Sequence, residues 1–153
     1  MAMTILVAVD GSERSNAVIE VGYDLAVTYE LPLEVLHVAP KDEFKRYQRS
    51  LKGTSEFSDY SIRQHEDSAA GVARALVRAT LEGRDRSAVT PIGKVGEPVE
   101  ELLKRAERSD ARFVVIGGRK RSPTGKAIFG SVTQSVLLES DRPIVTVMSE
   151  GEE

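Results

Sequence analysis

The chain has 153 residues, no cysteine and a formal net charge of −3 at pH 7. This length fits one domain, which buries about two-thirds of its unfolded surface. The lack of cysteine excludes disulfides, thiolate nucleophiles and thiolate metal sites, and the mildly acidic charge argues against general nucleic-acid binding. We therefore predict a single domain over residues 1–153, with its structured core from about residue 4 to residue 147.

The start of the chain predicts a cytoplasmic protein. Met1–Met3 lead directly into an apolar segment, without a basic region or a cleavable apolar stretch. No window approaches the roughly 18 apolar residues of a membrane-spanning helix. We therefore expect no association with a membrane.

The first strand and helix follow at once. Thr4–Val9 is a short, continuous apolar run, which is typical of a strand buried on both faces. Ser12 is a suitable N-cap for a helix that reaches about Glu30, and Gly22 within that helix would permit close packing against the sheet. Residues at helical spacing predict one apolar face of the helix, formed by Ala17, Val21 and Leu25 with Val18, Gly22 and Tyr29 beside it.

A second strand is predicted for Leu33–Val38, and a mobile loop for Lys41–Ser58, where the sequence is polar and aperiodic. Phe44, Tyr47 and Phe57 lie among charged residues in this segment. The segment is therefore a lid over a ligand, a partner surface or a solvated insertion with anchoring aromatics, and we favour the last of these.

A long helix is predicted for Asp59–Glu82, and Gly83 ends it. The chain contains two histidines: His65 in this helix and His37 in the second strand. Because there is no cysteine and no paired acidic cluster at ligand spacing, we interpret both histidines as structural residues rather than metal ligands.

The remaining sequence continues the alternation of strand and helix. Ser87–Val95 predicts a strand at the edge of a sheet, because Pro91 lacks the N–H group that a central strand would use. A helix opens at Pro98, a fourth strand is predicted for Phe113–Ile116, and a last strand for Ile144–Val147. This alternation predicts an α/β fold, in which a parallel sheet carries helices on both faces.

A basic stretch with several glycines, Gly117–Val132, joins the fourth strand to the last helix. The first N–H groups of a helix have no intrahelical partner and carry the positive end of its dipole, so they suit a phosphate. Gly130 allows close backbone approach, and Ser131 either caps the helix or binds an oxygen atom. The alternative is an ordinary solvated turn, since such loops are often glycine-rich and basic. Four cations lie in the stretch: Arg119, Lys120, Arg121 and Lys126.

Two separated motifs resemble the universal stress protein family, whose ATP-binding members carry G-x2-G-x9-G-[S/T]. The motifs are Ala8-Val9-Asp10-Gly11-Ser12 and the spacing from Gly117 to Gly130-Ser131, and the likeness runs from about Thr4 to about Val147. The resemblance implies a Rossmann-like, open parallel sheet of five strands in the order 3-2-1-4-5, similar to the adenine nucleotide alpha hydrolases. In such sheets, ligands bind at the carboxyl ends of the strands where the winding direction reverses.

The resemblance also implies the roles of the site residues. Asp10 accepts hydrogen bonds from ribose hydroxyls, and the backbone amides of Ser131 and Val132 hold phosphate. ATP, alone or with Mg²⁺, is the expected ligand. For Asp10 a structural alternative stays open, as a cap or turn carboxylate beside Gly11. The adenine pocket is assigned to three residues: Ala8, Val9 and Val38.

Lys120 departs from the family pattern, which has its second glycine at this position. A lysine either closes the backbone approach that glycine allows or replaces it with a side-chain ammonium group. We favour replacement, because Arg119 and Arg121 flank the lysine and lysine is a common phosphate ligand. Gly117, Arg119, Lys120 and Gly130 accordingly complete the predicted site.

Three functions are compatible with these residues. The favoured one is an ATP-binding regulatory module in a stress response. An enzyme acting on the phosphate chain would need a base, metal carboxylates or a nucleophile, and only Asp10 is at hand, so we expect weak ATP hydrolysis at most. The third is a dimeric interaction protein of the same fold that binds no nucleotide. The resemblance further implies a homodimer through antiparallel pairing of the last strand, Ile144–Val147.

Overall fold

The computed structural model describes residues 3–11, 14–50, 61–120, 127–128 and 130–150. Strands and helices alternate through these ranges, as the sequence predicts. In chain order the elements are β1 (Thr4–Val9), α1 (Ser15–Tyr29), β2 (Leu33–Pro40), α2 (Lys41–Ser50), α3 (Ile62–Thr80), β3 (Val89–Gly96), α4 (Pro98–Arg108), β4 (Ala111–Lys120), β5 (Ala127–Ile128), α5 (Ser131–Glu139) and β6 (Ile144–Glu150).

Five strands form a parallel sheet in the order β3-β2-β1-β4-β6. The predicted sheet and its strand order are thus confirmed, and the predicted fifth strand is β6. The short strand β5 is an addition, which pairs antiparallel with Arg119 and Lys120 at the end of β4. β3 lies at one edge of the sheet, as its proline predicts, and Pro91 is level with Val35 of β2.

Helices cover both faces of the sheet. On one face α1 and α3 pack around Ile5 and Val7 of β1, and on the other α4 and α5 pack around Leu6 of the same strand. Alternate side chains of a strand point to opposite faces, so neighbouring residues of β1 enter two separate clusters. All three side chains are 0% exposed, which is why the strand reads as a continuous apolar run.

The first helix starts later than predicted. Its N-cap is Arg14, which makes no side-chain capping bond, and the helix begins at Ser15. The prediction that Ser12 is the N-cap is therefore wrong, and Ser12 itself lies outside the described residues. Ser15 bonds instead to the loop that follows β1, because its hydroxyl donates to Asp10 Oδ1 over 3.1 Å.

Close packing at Gly22 is confirmed, and it determines which face of α1 is buried. A Cβ atom on Gly22 would overlap Val7 Cγ2 and lie 3.3 Å from Leu33 Cδ1, so the glycine has to face the sheet. The buried face is therefore rotated from the predicted Ala17, Val21 and Leu25 towards Val18 and Gly22, which the prediction placed beside them. Ala17 is exposed, whereas Val21 and Leu25 are partly buried against the core. The residues that are buried lie around the glycine: Ser15, Val18, Ile19 and Ala26.

Helix α2 occupies the first part of the segment for which a mobile loop is predicted. Lys41–Ser50 is helical, so the prediction of a loop is wrong there, whereas residues 51–58 lie outside the described ranges. Phe44 is buried, and its ring centroid lies 5.4 Å from that of His65 in α3. It is the one buried side chain of α2. A helix that buries a single residue needs no repeated apolar positions, which is why the sequence shows no apolar stripe there.

Helix α3 is confirmed, with a defined start and end. Ser61 is its N-cap and forms a capping box with Gln64, whose side chain accepts the Ser61 N–H over 2.8 Å. The predicted start at Asp59 falls outside the described part of the chain. Gly83 follows the helix with a φ of +79°, which suits its predicted role as the terminator. Neither α3 nor another helix in the described ranges has the length and apolarity needed to cross a bilayer.

Candidate functional site

The two central strands separate at their carboxyl ends. β1 pairs with β4 up to Val7, which is level with Val115. Both strands continue beyond this point, β1 to Val9 and β4 to Lys120, but without further pairing to each other. β1 remains paired to β2 as far as Val9 and His37. A crevice therefore opens between β1 and β4, at the point where the winding of the sheet reverses direction.

The three predicted adenine-pocket residues lie on two different faces of the sheet. Ala8 and Val38 are half-buried and pack on the face covered by α4 and α5. Val9 is 7% exposed and packs in the opposite cluster, beneath α1 and α3. The structure thus brings Ala8 and Val38 onto one face of the sheet, whereas the Val9 side chain packs on the other face.

Asp10 lies exposed at the mouth of the crevice and bonds to the start of α1. Its carboxylate accepts the Ser15 hydroxyl over 3.1 Å, and its N–H donates to the same hydroxyl oxygen over 3.3 Å. Gly11 follows with a φ of +88°, a conformation that favours glycine and turns the chain towards the helix. A carboxylate has acceptor capacity beyond one hydroxyl, so Asp10 can hold this turn and accept further hydrogen bonds.

The first turn of α5 is bound to the opposite wall of the crevice. The Thr133 hydroxyl donates to the Gly117 carbonyl over 2.9 Å. Gly130 is the N-cap, and Ser131 and Val132 are exposed at the first two helical positions. The first N–H groups of the helix have no intrahelical acceptor. Because Thr133 bonds to Gly117, these N–H groups lie near the Gly117 backbone. A helix is confirmed in this region, but Ser131 is its first helical residue and not its cap, because Gly130 occupies the N-cap position.

Gly130 is not explained by the packing of the described residues. Its φ of −64° and ψ of 165° are open to any residue, and a Cβ atom built on it would meet no described atom within 4 Å. Gly117 differs, because a Cβ there would lie 3.3 Å from Val18 Cγ2 of α1. Of these two motif glycines, Gly117 is thus accounted for by the fold, and Gly130 is not.

The prediction of a loop from Gly117 onward is wrong for its first four residues. Gly117–Lys120 belong to β4 and pair with Val147–Glu150 of β6. Gly118 allows this extension, because a Cβ there would lie 2.7 Å from Met148 Sδ and 3.2 Å from Thr146 Cγ2. Arg119 and Lys120 are placed by their backbone alone; their side chains, like residues 121–126, lie outside what the structure describes.

Sequence reasoning missed Thr133 and Ser15, which position the two walls of the crevice. Neither belongs to the glycine motif, and hydroxyl residues are common at helix starts for capping alone. One signal in the sequence could have indicated them: each lies in the first turn of a helix, α1 after β1 or α5 after β4. Their actual partners lie 16 and 5 residues away in the chain, for Thr133 and Ser15 respectively.

The two histidines make different contacts. His37 Nδ1 is 3.1 Å from the Val9 carbonyl oxygen, which holds the imidazole against the end of β1. His65 is buried in α3 beside the rings of Phe44 and Tyr47. Across the described ranges, no three His, Asp or Glu side chains converge as ligands for a metal ion.

Two shallow depressions lie at the amino ends of the strands, away from the crevice. One has a volume of about 370 Å³ between the end of α1 and the start of β3, and includes Tyr23, Glu30 and Asp85 in its wall. The other, of about 270 Å³, is lined by Arg112 and Arg142 among others. Neither depression contains a predicted site residue, so concavity and the sequence motifs point to opposite ends of the sheet.

The sheet and its central crevice define a doubly wound α/β protein, with a site at the reversal between β1 and β4. The universal stress protein family model matches residues 1–148 of the chain. The chain belongs to the universal stress protein family.

Two named relatives are similar in sequence. The stress response protein NhaX of Bacillus subtilis (strain 168) is 27% identical over 161 residues, which cover 94% of this chain and 96% of that protein. A universal stress protein of Mycolicibacterium smegmatis is 43% identical over 61 residues, which cover 40% of this chain and 45% of that protein.

Solved structures share the fold. A universal stress protein from Archaeoglobus fulgidus is 29% identical, with a TM-score of 0.60 over 95% of this chain and 98% of that one. Another from Archaeoglobus fulgidus, solved in complex with dAMP, is 22% identical with a TM-score of 0.51 over 94% and 96% of the two chains. A universal stress protein in complex with cAMP is 19% identical with a TM-score of 0.62 over 96% and 97%.

Proposed function

We propose that this protein binds an adenine nucleotide in the crevice between β1 and β4 and acts as a regulatory module whose conformation or partner choice depends on that nucleotide. The observation that carries the proposal is the loss of β1–β4 pairing beyond Val7 and Val115, directly beside the first turn of α5. Family members of the same fold, solved in complex with dAMP and cAMP, support it.

The crevice offers complementary groups for each part of a nucleotide. Ala8 and Val38 present an apolar surface to adenine, and the Val9 backbone borders it. Asp10 accepts ribose hydroxyls while it holds the α1 turn. The amides of Ser131 and Val132, which have no intrahelical acceptor, meet phosphate at the positive end of the α5 dipole. The Lys120 ammonium group adds charge, and Mg²⁺ would enter together with the phosphates.

We propose no catalytic role for the site. Hydrolysis of the phosphate chain would need a positioned base or metal carboxylates, and Asp10 is the one candidate that the crevice brings forward among the described residues. That carboxylate already bonds to Ser15 and is assigned to the ribose. Binding without turnover is what this set of groups supports.

A second candidate function is an interaction protein of the same fold without nucleotide. The pairing of Gly117–Lys120 with β6 favours it, because a backbone held in a sheet cannot wrap around a phosphate chain as a glycine loop can. The two candidates differ in one respect that is easily measured, which is saturable binding of adenosine and its nucleotides.

Calorimetric titration of nucleotide-free protein tests the proposed function. We expect saturable binding of adenosine and AMP at one site per chain, and weaker binding of guanosine as the matched control. An absence of binding for both adenosine and AMP at millimolar concentration would reject the proposal in favour of the interaction protein.

We also propose that the protein forms a homodimer through β6. Within the described residues β6 pairs on one side only, with β4, and its other edge carries no strand. Val145 and Val147 along this strand are half-buried, and Leu138 in the preceding helix is 78% exposed. An apolar edge of this kind is stabilised by pairing with a second copy.

Light scattering tests this assembly. Val145→Lys should shift the mass from dimer towards monomer, because a charge would enter the paired edge. Thr90→Lys on β3, at the opposite edge of the sheet, is the matched control and should leave the mass unchanged. A monomeric mass for the unmodified protein at high micromolar concentration would contradict the proposal.

A further inference from the structure

The peptide group at the carboxyl end of β1 is held from both sides. Its carbonyl, that of Val9, lies 3.1 Å from His37 Nδ1 of β2. Its N–H, that of Asp10, donates to the Ser15 hydroxyl oxygen of α1 over 3.3 Å. Because a peptide group is planar, two bonds on its opposite sides fix its orientation. The Asp10 Cα lies in this plane, and Ser15 also holds the Asp10 carboxylate, so the whole residue is restrained.

The contact with Val9 assigns the tautomer of His37. A carbonyl oxygen only accepts hydrogen bonds, so Nδ1 must carry the hydrogen and donate it to Val9. The hydrogen bond joins two strands that are level at this point, since His37 is the partner of Val9 in the register of β1 and β2.

The imidazole also borders the residue that follows Asp10. A Cβ atom built on Gly11 would lie 3.6 Å from His37 Cε1 and at the same distance from Val72 Cγ1 of α3. The ring therefore lies beside the turn both before Asp10, at the Val9 carbonyl, and after it, at Gly11.

Packing alone does not require a histidine at position 37. Side chains two residues apart in a strand face the same side of the sheet, so His37 shares a face with Val35. Val35 is 0% exposed and belongs to the core, whereas His37 is half-buried. An aliphatic side chain would also pack there, but it has no hydrogen to donate to the Val9 carbonyl.

We propose that His37 is a positioning residue of the nucleotide site, which fixes the peptide group between Val9 and Asp10 and thereby holds the Asp10 carboxylate in place for the ribose hydroxyls. The inference rests on the proposed function and deepens it, because it concerns how the ribose is recognised. His37 acts through Asp10. A carboxylate that is already held loses less conformational freedom when a ligand binds, which favours affinity.

Two variants of the histidine test the hydrogen bond. His37→Leu removes the donor and should weaken adenosine binding about three- to tenfold in calorimetric titration. His37→Asn places an amide N–H at a similar distance along the side chain, and should restore most of that affinity. Urea unfolding shows whether each variant is folded. Equal adenosine affinity for the unmodified protein and a folded His37→Leu would overturn the inference.

A ligand without ribose hydroxyls separates positioning from a general loss of structure. The analogue 2′,3′-dideoxyadenosine keeps the adenine base and lacks both hydroxyls that Asp10 would accept. His37→Leu should weaken adenosine but leave the analogue within about twofold of its affinity for the unmodified protein. His65→Leu, at the histidine of α3, is the control and should leave the ratio of the two affinities unchanged. An equal loss for both ligands in His37→Leu would overturn the inference.

A double variant tests whether His37 acts through Asp10. Once the carboxylate is removed by Asp10→Ala, loss of the histidine should have no further effect. The adenosine affinities of Asp10→Ala and of Asp10→Ala combined with His37→Leu should therefore agree within about twofold. A further loss as large as that of His37→Leu alone would show that the two residues act independently, and would overturn the inference.

NMR of the unmodified protein supplies a test that does not depend on the folding of any variant. The nitrogen-15 shifts of an imidazole report its tautomer, and in mildly alkaline buffer an ordinary imidazole is neutral. We expect the hydrogen of His37 on Nδ1. A hydrogen on Nε2 would mean that the Val9 carbonyl receives no bond from the ring, and would overturn the inference. If the unmodified protein binds neither adenosine nor AMP, the proposed function fails instead.

Discussion

The two ends of the sheet are built differently, although the same strands run between them. At the amino end the loops are bound to the sheet: Arg142 donates to Asp110 Oδ1 over 2.8 Å and to the Ala111 carbonyl over 3.0 Å, and Thr4 donates to the Ser109 carbonyl over 3.2 Å. At the carboxyl end the central pair of strands separates. One end is closed by its own side chains, and the other keeps helix N–H groups and a carboxylate at its surface.

The two depressions described above lie away from the candidate site. Both are at the closed amino end, where short turns leave shallow hollows between elements. The crevice at the carboxyl end follows from chain direction, because β1 leads to α1 on one face and β4 leads to α5 on the other. The comparison teaches that in this structure the reversal of winding and the surface depressions lie at opposite ends of the sheet, and our proposal follows the reversal of winding.

The largest expected effect is that of Gly130→Val at the open end. AMP affinity should fall about a hundredfold or more, because a branched side chain would occupy the space before the first turn of α5. The free energy of unfolding should change by about 0.5 kcal/mol at most, since the φ of −64° and the open surroundings tolerate a side chain. Calorimetry and urea unfolding measure the two quantities.

Gly71→Val is the control for that change. Gly71 lies in α3, and a Cβ there would likewise meet no described atom within 4 Å. It should leave AMP affinity unchanged. If Gly130→Val binds AMP as the unmodified protein does, phosphate does not lie against the start of α5.

Lys120→Ala should have the next largest effect. If the ammonium group replaces the missing glycine contact, AMP binding should weaken about ten- to a hundredfold, because a charge-assisted hydrogen bond contributes about 1.5–3 kcal/mol. Adenosine binding should be spared, whereas Asp10→Ala should weaken AMP and adenosine alike. Calorimetric titration of the two variants with both ligands gives the pattern.

Lys120→Gly serves as the matched variant for this prediction. It should be milder than Lys120→Ala, since a glycine restores some backbone freedom at that position. AMP binding by Lys120→Ala that equals or exceeds that of the unmodified protein would show that the lysine obstructs the site or is only solvated.

Arg142→Met should act on the closed end alone. It removes the hydrogen bonds to Asp110 and Ala111 and should lower the free energy of unfolding by about 1–2 kcal/mol, with AMP affinity unchanged. Arg108→Met, at an exposed position at the end of α4, is the control and should be nearly neutral. A weakened AMP affinity in Arg142→Met would mean that the two ends are coupled.

Thr133→Val should have the smallest effect and tests how the crevice is assembled. Loss of the hydroxyl bond to Gly117 should cost about 1 kcal/mol of stability and weaken AMP binding about two- to fivefold, because the first turn of α5 is positioned less firmly. Thr133→Ser keeps the hydroxyl and should restore the affinity. If Ser and Val behave alike, the hydroxyl does not position α5.

Two errors of prediction have the same physical origin. Helix α2 shows no apolar stripe, because Phe44 is its one buried side chain and, with the exposed Tyr47, contacts His65 in α3. The extension of β4 through Gly117–Lys120 depends on β6, whose Met148 and Thr146 lie against Gly118. In both cases the partner is distant in the chain, and local periodicity carries no information about it.

The start of α1 was also missed, for a local reason. Ser12 has the residue type of an N-cap, but the chain turns at Gly11 and the helix starts after Arg14. Ser15 then bonds to Asp10, so a hydroxyl serves the turn from inside the helix rather than from the cap position. Residue type predicts that a helix begins in this region, and the turn geometry decides where.

The sequence by itself determined the class of the protein. Apolar runs such as Thr4–Val9, alternating with amphipathic segments, require a parallel sheet covered on both faces, and Pro91 restricts its strand to an edge. The motif spacing from Gly117 to Gly130-Ser131 was enough to indicate the family, and it placed our candidate site at the carboxyl end of the sheet. These features are local, because each depends on residue type and near spacing.

Only the tertiary structure decided the shape of the crevice. Pairing between segments that are distant in the chain determines three features of the crevice. These are the residue at which β1 separates from β4, the length of β4, and the edge of β4 with which β5 pairs. The bond from Thr133 to Gly117 is of the same kind. The register of a strand, and the strand that pairs with each of its edges, depend on which segment hydrogen-bonds to its backbone groups. Several segments are able to form these bonds, and the final partners are fixed only when the whole sheet has assembled.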